Sequence, residues 1–386
     1  LVQYWELPTA IKHGPGALEI LGAEVRRIGG SKPLIVTDRG VISAGLLDKV
    51  TAVLDREGLP YAVFDAVVGN PPATLVGEGT GAYLSSGCDS MVAVGGGSSM
   101  DTAKAIGVEV AHDGQILDYE FGKTEITKRI PPLVCVPTTS GTGSEATLWS
   151  VITDPDRRIK FNVGGTPLIA ASVALIDPLL TVSMPPRLTA WTGMDALSHA
   201  IECYTCAYSQ PVTDAVALLC IEYVGKYLRR AFANGEDIEA RHKMCLAATL
   251  GGMAYGVDSA GAVHAMAQTF GGFHDVHHGY LTAVMLSPVM EFNWMGWPEK
   301  FARIAQALGE NVHGLRLEEA ARLSYKAVAE LARDLEIQPI RSTGMTQDDI
   351  PELARLAFED PQTVGNPRIV DYDGYVRLYT RLYNEA

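Results

Sequence analysis

Short, largely apolar runs alternate with longer amphipathic stretches through the first half of the chain. Residues 34–37, 61–64, 90–94, 133–136 and 173–176 are such runs, bounded by Gly, Pro, Asn or Asp, and each reads as a strand. Residues 45–58 and 74–86 carry helical spacing between them. Strands alternating with helices predict a parallel sheet covered on both faces. Residues 151–160 read as a hairpin turning at Asp154-Pro155-Asp156. Beyond about residue 181 the texture changes. Residues 210–233, 237–254, 297–308, 317–335 and 350–358 all repeat with helical period. The pattern thus predicts an α/β domain over residues 1–181 and an all-helical domain over residues 182–386.

Chemistry-bearing side chains fall at particular places in this pattern. A helix is expected over residues 192–203, with Pro185 and Pro186 ahead of it. Asp195 and His199 are four apart, so both leave one face of that helix and can share a cation. Further ligand candidates lie in residues 261–279, which hold His264, His274, His277 and His278. Gly95-Gly96-Gly97-Ser98-Ser99 joins a buried strand to a helix. That is either a phosphate cradle at a helix N-terminus or a tight turn. Ser140-Gly141-Thr142-Gly143-Ser144 follows the next buried strand, and two such loops make a ligand cleft at the carboxyl edge of the sheet. Asp38 ends an early strand. It either accepts hydrogen bonds from an adenosine ribose or caps the segment after it.

Composition narrows the classes. The 386-residue chain is 47% hydrophobic and 20% charged, ordinary for a globular protein with ample core. A net charge of -14 argues against a nucleic-acid partner. No apolar run reaches the length of a membrane span and no signal pattern opens the chain, so a cytoplasmic location is expected. The six cysteines show no disulfide framework. Cys203 and Cys206 are expected to be half-buried helix residues rather than half of a zinc site.

Several longer motifs, in order, carry a resemblance that covers nearly the whole chain. They are Gly95 through Lys104, Pro137 through Glu145, Met184 through Glu202, Val263-His264-Ala265-Met266, His278-Gly279 leading into residues 289–293, and Asn366-Pro367-Arg368. Together they resemble the iron-containing (group III) alcohol dehydrogenase family. The resemblance implies a Rossmann-like N-terminal domain binding NAD, an all-α C-terminal domain and a dehydroquinate synthase-like fold. It implies reversible oxidation of a small alcohol to an aldehyde or ketone, in a homodimer or larger homo-oligomer. By position it puts metal ligands on Asp195, His199, His264 and His278, holding Fe(II) with Zn(II) as the alternative. It puts cofactor contacts on Asp38, Gly96, Gly97, Ser98, Asp101, Thr138, Thr139, Thr142 and Lys160.

This chain departs from the family pattern at informative places. Many members carry a second histidine where Gln268 stands, and an amide cannot titrate. His277 replaces the usual proline before the last ligand. His277 or the nearby His274 is a candidate proton shuttle, with a solvated loop histidine as the other reading of each. Trp149, Tyr255 and Gly256 stand near pocket positions where others carry Asn, Phe and Asn. Within the fold, glycerol dehydrogenase-like polyol oxidation and a dehydroquinate synthase-like lyase are the rival activities. A non-catalytic metal- and nucleotide-binding protein is the rival from another class.

Overall fold

The computed structural model describes residues 3–255 and 260–385. They divide into two compact units, one spanning Trp5–Met184 and the other made of the described residues before Trp5 and after Met184.

The first unit carries eight strands: β1 (Ala10–His13), β2 (Pro33–Asp38), β3 (Ala62–Val67), β4 (Ser90–Gly95), β5 (Leu133–Pro137), β6 (Trp149–Asp154), β7 (Ile159–Gly164) and β8 (Val173–Ile176). Its helices are α1 (Leu21–Arg27), α2 (Arg39–Ser43), α3 (Leu46–Arg56), α4 (Ala73–Ser85) and α5 (Gly97–Ala111). Six strands pair in the order β1-β8-β5-β4-β2-β3, and every pair is parallel. Because successive side chains point to opposite faces, the strand residues divide between two cores. Leu34, Val36, Met91, Ala93, Leu133 and Cys135 pack into one. Ile35, Val92, Val94, Val134, Val136 and Leu175 pack into the other. Burial on both faces explains why these strands read as apolar runs.

The chain goes from β2 to β3 on one side and from β4 to β5 on the other. The carboxyl ends of β2 and β4 therefore form a topological switch point, the usual crevice of open α/β sheets. Asp38 and Gly95 end those two strands. The expected hairpin is present: β6 and β7 pair antiparallel, with Asp154 opposite Ile159. Sequence pattern missed β1, a four-residue strand paired with β8 whose end residues are exposed.

The second unit is helical: α6 (Pro186–Thr205), α7 (Pro211–Ala233), α8 (Ile238–Tyr255), α9 (Ala262–His274), α10 (His278–Asn293), α11 (Pro298–Ala307), α12 (Leu317–Asp334), α13 (Ile350–Glu359) and α14 (Tyr372–Asn384). Periodicity anticipated neither α9 nor α10 as helices. Both are buried on nearly every side, so no polar stripe marks their period. Cys203 and Cys206 correct the sequence expectation. Both are fully buried and neither is in a disulfide, and Cys206 caps the end of α6 rather than lying within it. Among the described residues no helix is long and apolar enough to cross a membrane.

Candidate functional site

Asp195 and His199 leave the buried face of α6, one turn apart as their spacing requires. His264 enters from the first turn of α9. One ligand-capable atom from each of these three residues lies within 4.8 Å of the other two. His278 begins α10, and its Nε2 stands 3.6 Å from Asp195 Oδ1. Its ring centroid is 5.4 Å from that of His264. The four ligand positions expected from sequence are thus brought to one place, three fully buried and His278 at the edge.

Other side chains hold this arrangement. Glu202, farther along α6, accepts hydrogen bonds from the backbone N–H groups of Val263 (2.7 Å) and His264 (3.2 Å), at the start of α9. The same carboxylate accepts from His264 Nδ1. That bond sets the tautomer and leaves the Nε2 lone pair for a cation. Thr282 Oγ1 donates to Asp195 Oδ1 at 3.1 Å. Gly279 lets α10 close on α6, since a Cβ there would lie 2.8 Å from the Trp191 carbonyl oxygen.

His199 Nδ1 and His264 Nε2 are buried with no hydrogen-bond partner. Orphaned polar atoms in a protein interior are destabilising and rare. A cation bound by these imidazoles would satisfy the site, so the residues fit a metal. Burial, reinforced by His264, lowers the His199 pKa to about 4, so its imidazole is neutral and ligand-competent near neutral pH. Burial opposes protonation of His264. Glu202, by hydrogen bond and charge, outweighs that and holds its pKa above the ordinary value. One carboxylate and three imidazoles offer the nitrogen and oxygen donors that suit Fe(II) or Zn(II).

Tyr255 at the end of α8 packs its ring 5.2 Å from His199 and 6.0 Å from His264, nearly parallel to the latter at 22°. Its hydroxyl donates to Gln362 Oε1 at 3.1 Å, and Gln362 Nε2 donates to Gln268 Oε1 at 2.5 Å. Tyr255 and Gln268, two departures from the family pattern, are therefore members of one hydrogen-bonded chain. Gly256 lies outside the described residues. His274 Nε2 lies 3.3 Å from Asp349 Oδ2, with its ring against Phe270 and Phe273. His277 is exposed, and its ring lies 5.0 Å from Trp191, which the Arg187 guanidinium also covers at 4.3 Å.

In the α/β unit the two glycine-containing loops lie side by side. Thr138 N–H donates to the Gly95 carbonyl at 2.9 Å. A Cβ on Gly96 would stand 3.2 Å from Thr139 Oγ1, and one on Gly97 would stand 2.7 Å from Thr142 Cγ2. Only glycine permits that approach. Helix α5 starts at Gly97, so Gly97 and Ser98 present N–H groups of its first turn. Asp38 caps α2 by accepting from Val41 N–H at 3.0 Å, while its other oxygen accepts from Ser99 Oγ at 3.4 Å. The capping role is thus realised, and the carboxylate also faces the glycine loop. Asp101 accepts from Ser144 Oγ (2.6 Å) and Val151 N–H (3.2 Å), fastening the second loop to α5. Lys160 lies on β7, and its charge reaches Asp101. Lys104 is wholly buried and donates to the carbonyls of Ser144 (2.6 Å), Thr147 (3.0 Å) and Trp149 (2.8 Å).

Sequence reasoning missed Glu202, Thr282 and Gln362 as site residues. Glu202 had a faint signal, a carboxylate three residues after His199 in a helix otherwise almost free of charge. Gln362 had none, because it sits in a short irregular turn far along the chain.

Two family profiles match this sequence. Residues 8–178 match "Iron-containing alcohol dehydrogenase", and residues 189–383 match "Fe-containing alcohol dehydrogenase family, C-terminal". A choline dehydrogenase of Bacillus subtilis (strain 168) is 53% identical over 98% of this chain and 95% of that protein. Among solved structures, a 1,3-propanediol oxidoreductase superposes with a TM-score of 0.96 at 37% identity, covering 99% of this chain and 100% of that one. A sulfoacetaldehyde reductase from Bifidobacterium kashiwanohense, solved in complex with NAD+, superposes with a TM-score of 0.90 at 27% identity, covering 100% of both chains.

Proposed function

This chain belongs to the iron-containing alcohol dehydrogenase family, and on that premise we propose that it moves hydride between NAD(H) and a small alcohol or aldehyde bound beside Asp195, His199, His264 and His278. The observation that carries this reading is the buried carboxylate–imidazole cluster with its two orphaned nitrogens. A bound Fe(II) or Zn(II) supplies Lewis acidity toward the substrate oxygen. Bound NAD supplies the hydride acceptor.

The protein's own residues do the rest. Asp195 and the three imidazoles hold the metal, and Glu202 keeps His264 in the ligating tautomer. Gly96, Gly97, Ser98, Thr138, Thr139 and Thr142 seat the cofactor's phosphates through N–H and hydroxyl groups. Asp101 and Lys160 support that seat. Asp38 accepts from the ribose and repels a 2'-phosphate, which favours NAD over NADP. Gln268 carries no titratable proton. Proton exchange then falls to water, to His274, whose Nε2 lies 3.3 Å from Asp349 Oδ2, or to the exposed His277 next to His278. The identity to the Bacillus subtilis relative supports an alcohol of the choline class as substrate. We also propose a homo-oligomer, which sedimentation velocity would test.

Protein purified without oxygen, then chelated, should lose NADH oxidation with an aldehyde panel and regain it with one of Fe(II) or Zn(II). A His199→Ala variant should stay inactive with either metal. Full activity of that variant would sink the metal assignment. Absence of net NADH turnover with every alcohol and aldehyde would favour the lyase chemistry instead.

A further inference from the structure

The carboxylate of Asp38 is held at both oxygens, and one of its holders has no other task. Asp38 ends β2 and is half-buried. Its Oδ1 accepts from Val41 N–H at 3.0 Å, the bond that caps α2. Its Oδ2 accepts from Ser99 Oγ across a long contact of 3.4 Å. Ser99 lies in the first turn of α5, the helix that starts at the glycine loop. It is fully buried, and the bond to Asp38 is the only one its hydroxyl forms among the described residues.

Two glycines make room for this arrangement. A Cβ on Gly95 would lie 2.3 Å from Ser99 Oγ and 3.2 Å from Asp38 Oδ2, so a side chain there would part the pair. A Cβ on Gly40 would lie 2.9 Å from Asp38 Oδ1. The two sides of the switch point are thereby tied together. β2 supplies the carboxylate, and the helix after β4 supplies the hydroxyl that fixes its plane. With Val41 alone the carboxylate would keep one anchor and turn about it. With Ser99 as well, both oxygens have set directions before a ligand arrives. A side chain ordered in advance removes a cost that binding would otherwise carry. The benefit goes to a ligand that uses the set direction, here the ribose hydroxyls. A 2'-phosphate gains nothing, because a carboxylate that cannot turn aside repels it most strongly.

We propose that Ser99 is a positioning residue for coenzyme choice, which sharpens the preference for NAD over NADP by fixing the Asp38 carboxylate. This inference rests on the ribose-accepting role of Asp38 given above. Ser99 itself touches no part of the coenzyme in this account. It acts only through Asp38.

The test measures Kd for NADH and for NADPH on the metal-loaded protein by the fluorescence of the bound nicotinamide. The readout is the ratio of the two, NADPH over NADH, and it needs no alcohol substrate. The unmodified protein should bind NADH more tightly. Asp38→Gly should bring the ratio toward unity. Ser99→Ala should lower it about fivefold, the loss of one immobilised side chain. Ser99→Cys keeps the size with a weaker donor and should lower it less. In the Asp38→Gly background, Ser99→Ala should change nothing further, because the group through which it acts is gone.

Equal changes in both constants for Ser99→Ala, with Asp38→Gly still collapsing the ratio, would show that the serine only packs and would overturn the inference. So would a ratio that rises in Ser99→Ala, or the same drop when Asp38 is absent. Should Ser99→Ala fail to fold, an unchanged ratio in Ser99→Cys would overturn it alone. An unmodified protein that binds both coenzymes equally, or an Asp38→Gly protein with an unchanged ratio, would overturn the reading of Asp38 itself, and the inference with it.

Discussion

At Glu202 one carboxylate performs two tasks. It accepts from the buried N–H groups at the start of α9 that the helix itself leaves unpaired, and it aims His264. Glu202→Gln keeps the size and loses the charge that stabilises the Nδ1–H tautomer. We expect metal affinity to fall about 10–100-fold, read by titrating the chelated protein with Zn(II). Asp195 and His199 were legible from sequence because a spacing of four on a helix is a geometric statement. His264 and His278 were legible only through resemblance, since no local rule connects them to residue 195. Glu202 left only a faint trace, a carboxylate in a helix almost free of charge, because the bonds that give it meaning join positions far apart in the chain.

At the scale of elements, the approach of α10 to α6 decides where His278 stands. Gly279→Ala would drive a methyl group into the Trp191 carbonyl, and the helices must part. The expected cost is about 1–3 kcal/mol of stability in denaturant titration, together with weaker metal binding. In the α/β unit, Asp89 gathers the entries of β2 and β4. It accepts from the N–H groups of Ser31 and Lys32 and from the hydroxyls of Ser31 and Ser90. Burial works against this carboxylate, but those hydrogen bonds prevail and lower its pKa to about 2. Its contribution is therefore present above its unfolded value near 4 and fades as pH falls toward 2. Denaturation midpoints from pH 5 to pH 2 should decline more steeply in the unmodified protein than in Asp89→Asn. The strands on both sides of Asp89 were legible as apolar runs. The four-residue β1 was not, because its backbone pairing with β8, rather than its side chains, makes it a strand.

For the whole molecule, the proposed nucleotide loops belong to the unit Trp5–Met184 and the proposed ligand imidazoles to the helical unit. Each ligand should stabilise the fold by mass action. Chelation should lower the melting temperature, and metal restored at a hundred times its Kd should return about 2.7 kcal/mol. NAD at the same multiple should raise the melting temperature of the metal-free protein as well. If NAD leaves it unchanged, the loops do not form a cofactor site. The division into an α/β half and a helical half was legible because hydrophobic period changes near residue 181. The switch point between β2 and β4 was not, since strand order is a non-local property that no stretch of sequence records.

The proposed metal ligands also have an order in time. The ribosome delivers Asp195 and His199 first, and on a nascent helix they are a weak two-point holder. His264 and His278 follow only after α7 and α8 have been made, several seconds later at about 5–20 residues per second. During that interval the chain has no means of retaining the ion against cellular competitors. On the proposed ligand assignment, metal selection must therefore wait until the start of α10 has been made, about midway through the helical half. The ion that ends up in the protein would be set by what is available once α6, α9 and α10 can pack together, not by what the emerging peptide meets first.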